Sequence, residues 1–198
     1  MPGAERLTIA TAAHGLPAQG ERNSGDAMVV QRRDSIVFLA IVDGLGHGDR
    51  ASEVAAQAAS YLESSWSLDL PDTLNRLHQE LAGSRGAVAG LCAIDAADGS
   101  SRFSGIGDTG AVVIGAEQSL FSKEGILGSR IRTPQVQRFV LEPGAIVVLH
   151  TDGVSHDFQA DLPRDSRATA AELAHDIVEE HRRPHDDATC VVAIAAAA

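Results

Sequence analysis

Four short turns in this sequence set an aspartate at the end of an apolar run: "NSGDAM" with Asp26, "IVDGLGHG" with Asp43, "LHTDGV" with Asp152, and "RRPHDDATC" with Asp186 and Asp187. Asp-Gly is a common turn dipeptide, so each of these alone reads first as a structural turn. Together they suggest chemistry. Carboxylates that converge at one end of a sheet repel one another and raise each other's pKa unless a cation compensates. If these converge, a cation is implied. Oxygen ligation by Asp, with no Cys or paired His at zinc-like spacing nearby, selects hard divalent ions such as Mg²⁺ or Mn²⁺ over Zn²⁺. Gly44, directly after Asp43, has no Cβ and lets its carbonyl approach an ion closely, so adjacent residues can supply two ligands.

The stretch "FLAIVDGLGHGDRASEVA" also imitates a dinucleotide fingerprint, a glycine loop between a strand and a helix. The spacing fails. Gly44, Gly46 and Gly48 give G-x-G-x-G, the third glycine of the fingerprint would fall on Asp49, and Asp43 would face a pyrophosphate with like charge. No G-x-x-x-x-G-K-[ST] occurs, and no C-x-x-x-x-x-R signature of a covalent cysteine mechanism is present. His47, within the glycine loop, either protonates a leaving oxygen or makes a local hydrogen bond in a tight turn. Asp108 in "GIGDTG" reads as fixing a turn between two core strands.

The elements that must position these acids are legible in outline. "SIVFLAIV" (35–42) is an almost unbroken apolar run, as expected of a strand covered on both faces. Similar runs at 87–94, 109–115, 145–150 and 188–195, with shorter ones at "LTIATAA" and "VQRFVL", give about seven or eight strands. Three helices are expected. Ala51, Val54, Ala55, Ala58, Leu62 and Trp66 form one stripe with Asp49 as N-cap; Leu70, Leu74, Leu77 and Leu81 form a second behind Pro71. Ala170, Leu173, Ala174, Ile177 and Val178 form a third behind a capping box from Thr169 to Glu172. Strand pairs separate the helices instead of alternating with them one for one, which predicts an α+β layering of antiparallel sheets with helices outside. The stretch "SHDFQADLPRDSRA" (155–168) reads as a polar loop facing substrate.

The 198 residues are expected to form a single domain. A net charge of −11 without a basic stripe disfavours nucleic acid and anionic lipid as partners. No apolar run approaches the roughly 20 residues that span a bilayer, and the N-terminus lacks a signal-peptide core, so a cytoplasmic protein is expected. Cys92 and Cys190 lie inside apolar runs and read as buried free thiols.

The ordered set "GDA", "DGLGHG", "GIGDTG", "HTDGV" and "HDDAT", spanning residues 20 to 195, resembles the metal-dependent type 2C protein serine/threonine phosphatases, in their small bacterial SpoIIE-like and RsbX-like branch. The resemblance implies a four-layer αββα fold: a central antiparallel β-sandwich flanked by helices, with two Mn²⁺ or Mg²⁺ ions at one end. It implies that Asp43 bridges both ions, that Gly44 ligates one through its carbonyl, and that Asp152 and Asp186 complete the other. Asp26 is implied as a nearby ligand or an acceptor for metal-bound water. Asp187, where many relatives carry Asn, is a further candidate ligand, and Arg22, four residues before Asp26, stands near the place of a phosphate-binding Arg in larger relatives. His47 joins it as a candidate for contact with substrate. The implied reaction is hydrolysis of a phosphomonoester by a metal-activated water, on a phosphorylated signalling protein of the STAS-domain stressosome or anti-sigma-antagonist kind. Two other functions share these residues: a catalytically silent phosphoprotein-binding module, and a structural metal-bound domain.

Overall fold

The computed structural model describes residues 6–115, 120–162 and 168–198. In chain order the elements are β1 (Leu7–Leu16), β2 (Asp26–Arg33), β3 (Ile36–Gly44), α1 (Asp49–Ser65), α2 (Leu70–Glu80), β4 (Ala87–Asp95), β5 (Ser100–Ile106), β6 (Gly110–Ile114), β7 (Gly125–Ile126), β8 (Arg130–Ile131), β9 (Gln137–Val140), β10 (Ile146–His150), α3 (Phe158–Asp161), α4 (Ala170–His181) and β11 (Ala188–Ala197). One sheet has the order β1-β11-β10-β6, the other β2-β3-β4-β5-β9, and every ladder within them is antiparallel. The strands β7 and β8 form a separate two-stranded ribbon.

The unbroken apolar run of β3 has a simple cause: its alternate residues enter two different cores. Phe38, Ala40 and Val42 pack with Val54, Ala58 and Leu62 of α1 and Leu70, Leu74 and Leu77 of α2. Val37, Leu39 and Ile41 face the other sheet, against Val147, Leu149, Val191 and Ala193. A third core lies outside β10 and β11, where Val148, Cys190 and Val192 meet Leu173, Ala174 and Ile177 of α4. Three cores between four layers make the αββα architecture expected from the sequence. Both cysteines are free and buried, burial pushes each thiol up to about 12, and Cys92 belongs to the inter-sheet core. Among the described residues, no helix is long and apolar enough to cross a membrane.

Several expectations need correction. The N-cap of α1 is Gly48, not Asp49: at φ 72° the glycine reaches a backbone conformation unfavourable to other residues, and its carbonyl accepts from the Ala51 and Ser52 N–H groups. Asp49 lies in the first turn, where its Oδ1 accepts from Asn23 Nδ2 at 2.9 Å. Trp66 is the C-cap of α1, stacked on Phe38 with ring centroids 4.7 Å apart. The expected box at α4 is present, with Thr169 accepting from the Glu172 N–H and Glu172 accepting from the Thr169 N–H.

Strands β2 and β5 were absent from the expected set. β2 is an edge strand whose outer face leaves Met28 39% exposed, and β5 fills buried positions with Ser101, Ser104 and Gly105, so neither carries an apolar run. The expected polar loop at 155–168 holds the short helix α3. Its Phe158 is buried and meets His150 and His181 edge to face, so this part does have an apolar side. Residues 163–167 of that loop lie outside the described residues.

Candidate metal centre

The topology brings the acids to one end of the sandwich. β2 begins at Asp26 and β3 ends one residue past Asp43, and these two aspartates sit opposite each other in the antiparallel register. Directly paired residues hold their Cβ atoms about 4.5–5.5 Å apart, so the carboxylates face one another across the ladder. In the other sheet β10 ends where β11 and β6 begin, with His150 paired to both Cys190 and Gly110. Asp152 leaves β10 there, Asp186 and Asp187 enter β11, and Asp108 lies in the link from β5 to β6.

Hydrogen bonds stitch the two sheet ends together. The Thr151 hydroxyl donates to Asp26 Oδ2 at 2.8 Å and accepts from the Thr189 N–H at 3.0 Å. Asp187, only 3% exposed, accepts the Ala18 N–H on Oδ1 and the Gly25 N–H on Oδ2, each at 2.8 Å. Each oxygen thus accepts one backbone N–H. Asp187, a candidate ligand, braces the 17–25 segment against the start of β11. Asp186 Oδ1 accepts the Asp187 N–H at 3.0 Å.

Three of the acids are electrostatically perturbed. Burial, reinforced by Asp26, Asp152, Asp108 and Asp186, pushes Asp43 up to about 9. Burial also raises Asp26 to about 7, against the lowering effect of the Thr151 hydrogen bond. Asp152 is raised by burial and by Asp108 and Asp186, while Arg183 opposes the shift. Burial first, and like charge second, thus hold Asp43 and Asp26 protonated well above the ordinary carboxylate range in the metal-free fold. A cluster of oxygen donors with excess negative charge fits hard divalent cations, so the residues present suit Mg²⁺ or Mn²⁺.

Glycines set the local geometry. Gly44 is buried, its N–H donates to the Gly25 carbonyl at 2.9 Å, and a Cβ there would collide with the Ala51 carbonyl oxygen at the start of α1. Its lack of a side chain therefore lets the helix pack against the strand end.

The candidate substrate contacts lie on the rim. Arg22 is exposed on the segment that Asp187 braces. His47 is 68% exposed and its Nδ1 lies 2.8 Å from Glu21 Oε1, a partner 26 positions away instead of one within the turn. Three further residues escaped the sequence reading. Asp108, read as a turn former, stands close enough to Asp43 and Asp152 to raise both and belongs to the acid cluster; its position at a strand end, shared with the other four motifs, was the available signal. Arg183 donates from Nη1 to the Asp152 carbonyl at 2.9 Å. The Arg85 guanidinium lies over the glycine loop, where its Nη2 would be 2.8 Å from a Cβ on Gly46. Arg85 carries no sequence signal because it reaches the loop from a separate segment, whereas Arg183 lies three residues before Asp186 within the last acid motif.

Two antiparallel sheets with helices on their outer faces and acids gathered at one end define a type 2C phosphatase fold. A family profile described as Stage II sporulation protein E (SpoIIE) matches residues 33–195, and the chain belongs to this family of type 2C protein serine/threonine phosphatases. Among curated proteins it is similar to the phosphoserine phosphatase RsbX of Bacillus subtilis (strain 168), 25% identical over 154 residues that cover 76% of this chain and 77% of RsbX. A solved structure of RsbX in complex with magnesium superposes with a TM-score of 0.83 at 22% identity, covering 95% of this chain and 96% of that one. A solved structure from the bacterial stressosome, described as a modular system adapted to control secondary messenger signalling, gives a TM-score of 0.86 at 30% identity over 94% of this chain and 99% of that one.

Proposed function

We propose that this chain removes phosphate from serine or threonine of a bacterial signalling protein, a STAS-domain component of a stressosome or an anti-sigma antagonist, with two Mn²⁺ or Mg²⁺ ions. The observation that carries this reading is the pairing of Asp26 with Asp43 beside Asp152, Asp108 and Asp186, which leaves Asp43 pushed up to about 9. Asp43 would hold both ions, with Gly44 through its carbonyl, Asp152 and Asp186 completing the set and Asp26 beside them. When bound, the ions supply a water of lowered pKa and offset charge on the phosphoryl oxygens.

The chain's own groups do the rest. Asp26 is fixed at Oδ2 by Thr151 and lies opposite Asp43, where its carboxylate would accept a hydrogen bond from a water held by the ions. Asp187 holds the 17–25 segment, and with it Arg22, at the mouth of the site. Arg22, Arg85 and Arg183 set positive charge around an anionic substrate on a chain whose net charge is −11. A STAS partner is supported by the likeness to RsbX and to the stressosome structure.

The test is site-by-site phosphate release from a panel of phosphorylated STAS proteins, in Mn²⁺ and in chelator. Release in Mn²⁺ alone is expected. Hydrolysis of a generic phosphoester without release from any STAS protein would remove the substrate class; no hydrolysis at all would leave a silent phosphoprotein-binding module.

A further inference from the structure

We propose that His14, His175 and Glu179 form a second metal site, for a transition ion of the Zn²⁺ type, that joins α4 to the edge strand β1 on the outer face of the sandwich. None of the three belongs to the acid cluster. Along β1, Leu7 and Ile9 enter the inter-sheet core, whereas Ala12 and Leu16 pack against the core beneath α4. His14 shares the face of Ala12 and Leu16 by the two-residue period of a strand, so its ring stands against the helix. On α4, His175 and Glu179 are four residues apart and therefore neighbours on one face.

The ligand atoms of the three side chains all lie within 4.8 Å of one another. His14 Nε2 is buried and has no hydrogen-bond partner, although Glu179 Oε1 is only 3.5 Å away. The His175 ring meets the His14 ring edge on, with centroids 5.0 Å apart. Zinc bonds of about 2.0–2.1 Å to imidazole nitrogen and carboxylate oxygen give a tetrahedral edge of about 3.4 Å, so the His14–Glu179 separation already has the required length. His175 is exposed, so a small rotation of its side chain brings it into the same shell. Two imidazoles and one carboxylate, with water in the fourth position, select Zn²⁺, Co²⁺ or Ni²⁺ over Mg²⁺ and Mn²⁺, opposite to the preference of the all-oxygen cluster.

A bound ion here clips the outer helical layer to a strand at the sheet edge, and it stabilises the folded chain by mass action. The test titrates Zn²⁺ into the protein by calorimetry with Mg²⁺ in large excess, so that the acid cluster is occupied by its own ion. One Zn²⁺ per chain is expected. H14Q, H175Q and E179Q should each weaken it at least roughly tenfold, while D43N leaves it unchanged. Titration with Co²⁺ should give the intense visible bands of a four-coordinate ion in the parent and not in H175Q. Because His175 is exposed, H175Q keeps the fold. Zinc uptake that is absent in the parent, insensitive to H175Q and E179Q, or abolished by D43N would overturn the site.

Discussion

Asp43 and Asp187 stand at the same end of the molecule, yet their surroundings make them different devices. Asp187 is the more deeply buried, and both its oxygens accept backbone N–H groups, from Ala18 and Gly25. Asp43 faces another carboxylate across the β2–β3 ladder and is surrounded by three more, with burial and like charge pushing it up to about 9. A carboxylate supplied with donors is spent on structure. One supplied only with other carboxylates is available to a cation.

The sharpest way to break this contrast is Asp43→Asn. The amide keeps the shape of the side chain and removes the charge on which both ions depend, so activity should fall at least roughly a thousandfold while the melting temperature of the metal-free protein holds or rises. Phosphoester turnover and a thermal melt check both halves. Near-parental turnover with two Mn²⁺ bound would place the shared ligand elsewhere.

The same experiment at Asp187 should give the reverse order of effects. Asp187→Ala strands two buried N–H donors, a loss of about 2–5 kcal/mol in stability. For a chain of this length that is a drop of roughly 5–15 °C in melting temperature. Denaturant unfolding measures it. A stable variant that has lost Mn²⁺ binding would make Asp187 a ligand and not a brace.

The acids also set the response to pH. In the metal-free fold Asp43 and Asp26 keep their protons up to about 9 and about 7, whereas unfolded aspartate releases them near 3.8. Between those values the folded state binds more protons, so stability falls as pH rises, and the metal-free protein should melt higher at about pH 5 than at about pH 8. Mn²⁺ binds the deprotonated acids, so the gain in melting temperature that it gives should grow over the same interval. Thermal melts with and without Mn²⁺ at several pH values test this. A metal-free melting temperature that climbs from about pH 5 to about pH 8 would contradict the buried, uncompensated pair.

The smallest effect concerns the rim. His47 and Glu21 form an exposed pair at 2.8 Å, and such pairs contribute about 1 kcal/mol or less. His47→Ala should change kcat by less than about threefold if the ring serves only this contact, whereas loss of a general acid costs about a hundredfold or more. Steady-state kinetics on a phosphoserine protein distinguishes the two.

How much of this was legible beforehand follows from where each signal resides. The acid turns were readable because an aspartate that interrupts an apolar run is local, and the three long helices because their stripes repeat every three to four residues. What sequence could not reveal was the commitment of each oxygen. Asp186 and Asp187 are neighbours in the chain, yet only Asp187 turns toward the amides of Ala18 and Gly25, more than 160 positions away. Arg85 reaches the glycine loop by the same long-range folding, and β5 stayed hidden because small residues fill its buried positions.

The alternation of β3 between two cores has a consequence for how the chain finds its alignment. Because Val37 to Val42 are apolar on both faces, a slip of β3 by one residue would still bury greasy side chains, and hydrophobicity alone does not choose among alignments. The choice falls to the strand ends. At one end a two-residue reversal through Asp34, at φ 54°, starts the hairpin; at the other, the Gly44 N–H finds the Gly25 carbonyl and Gly25 in turn is held by Asp187. The end that gathers the acids is therefore also the clasp that sets the hairpin's registry. Damage at Gly25 or Asp187 is then a fault of assembly, one that misplaces Asp26 against Asp43 without touching either.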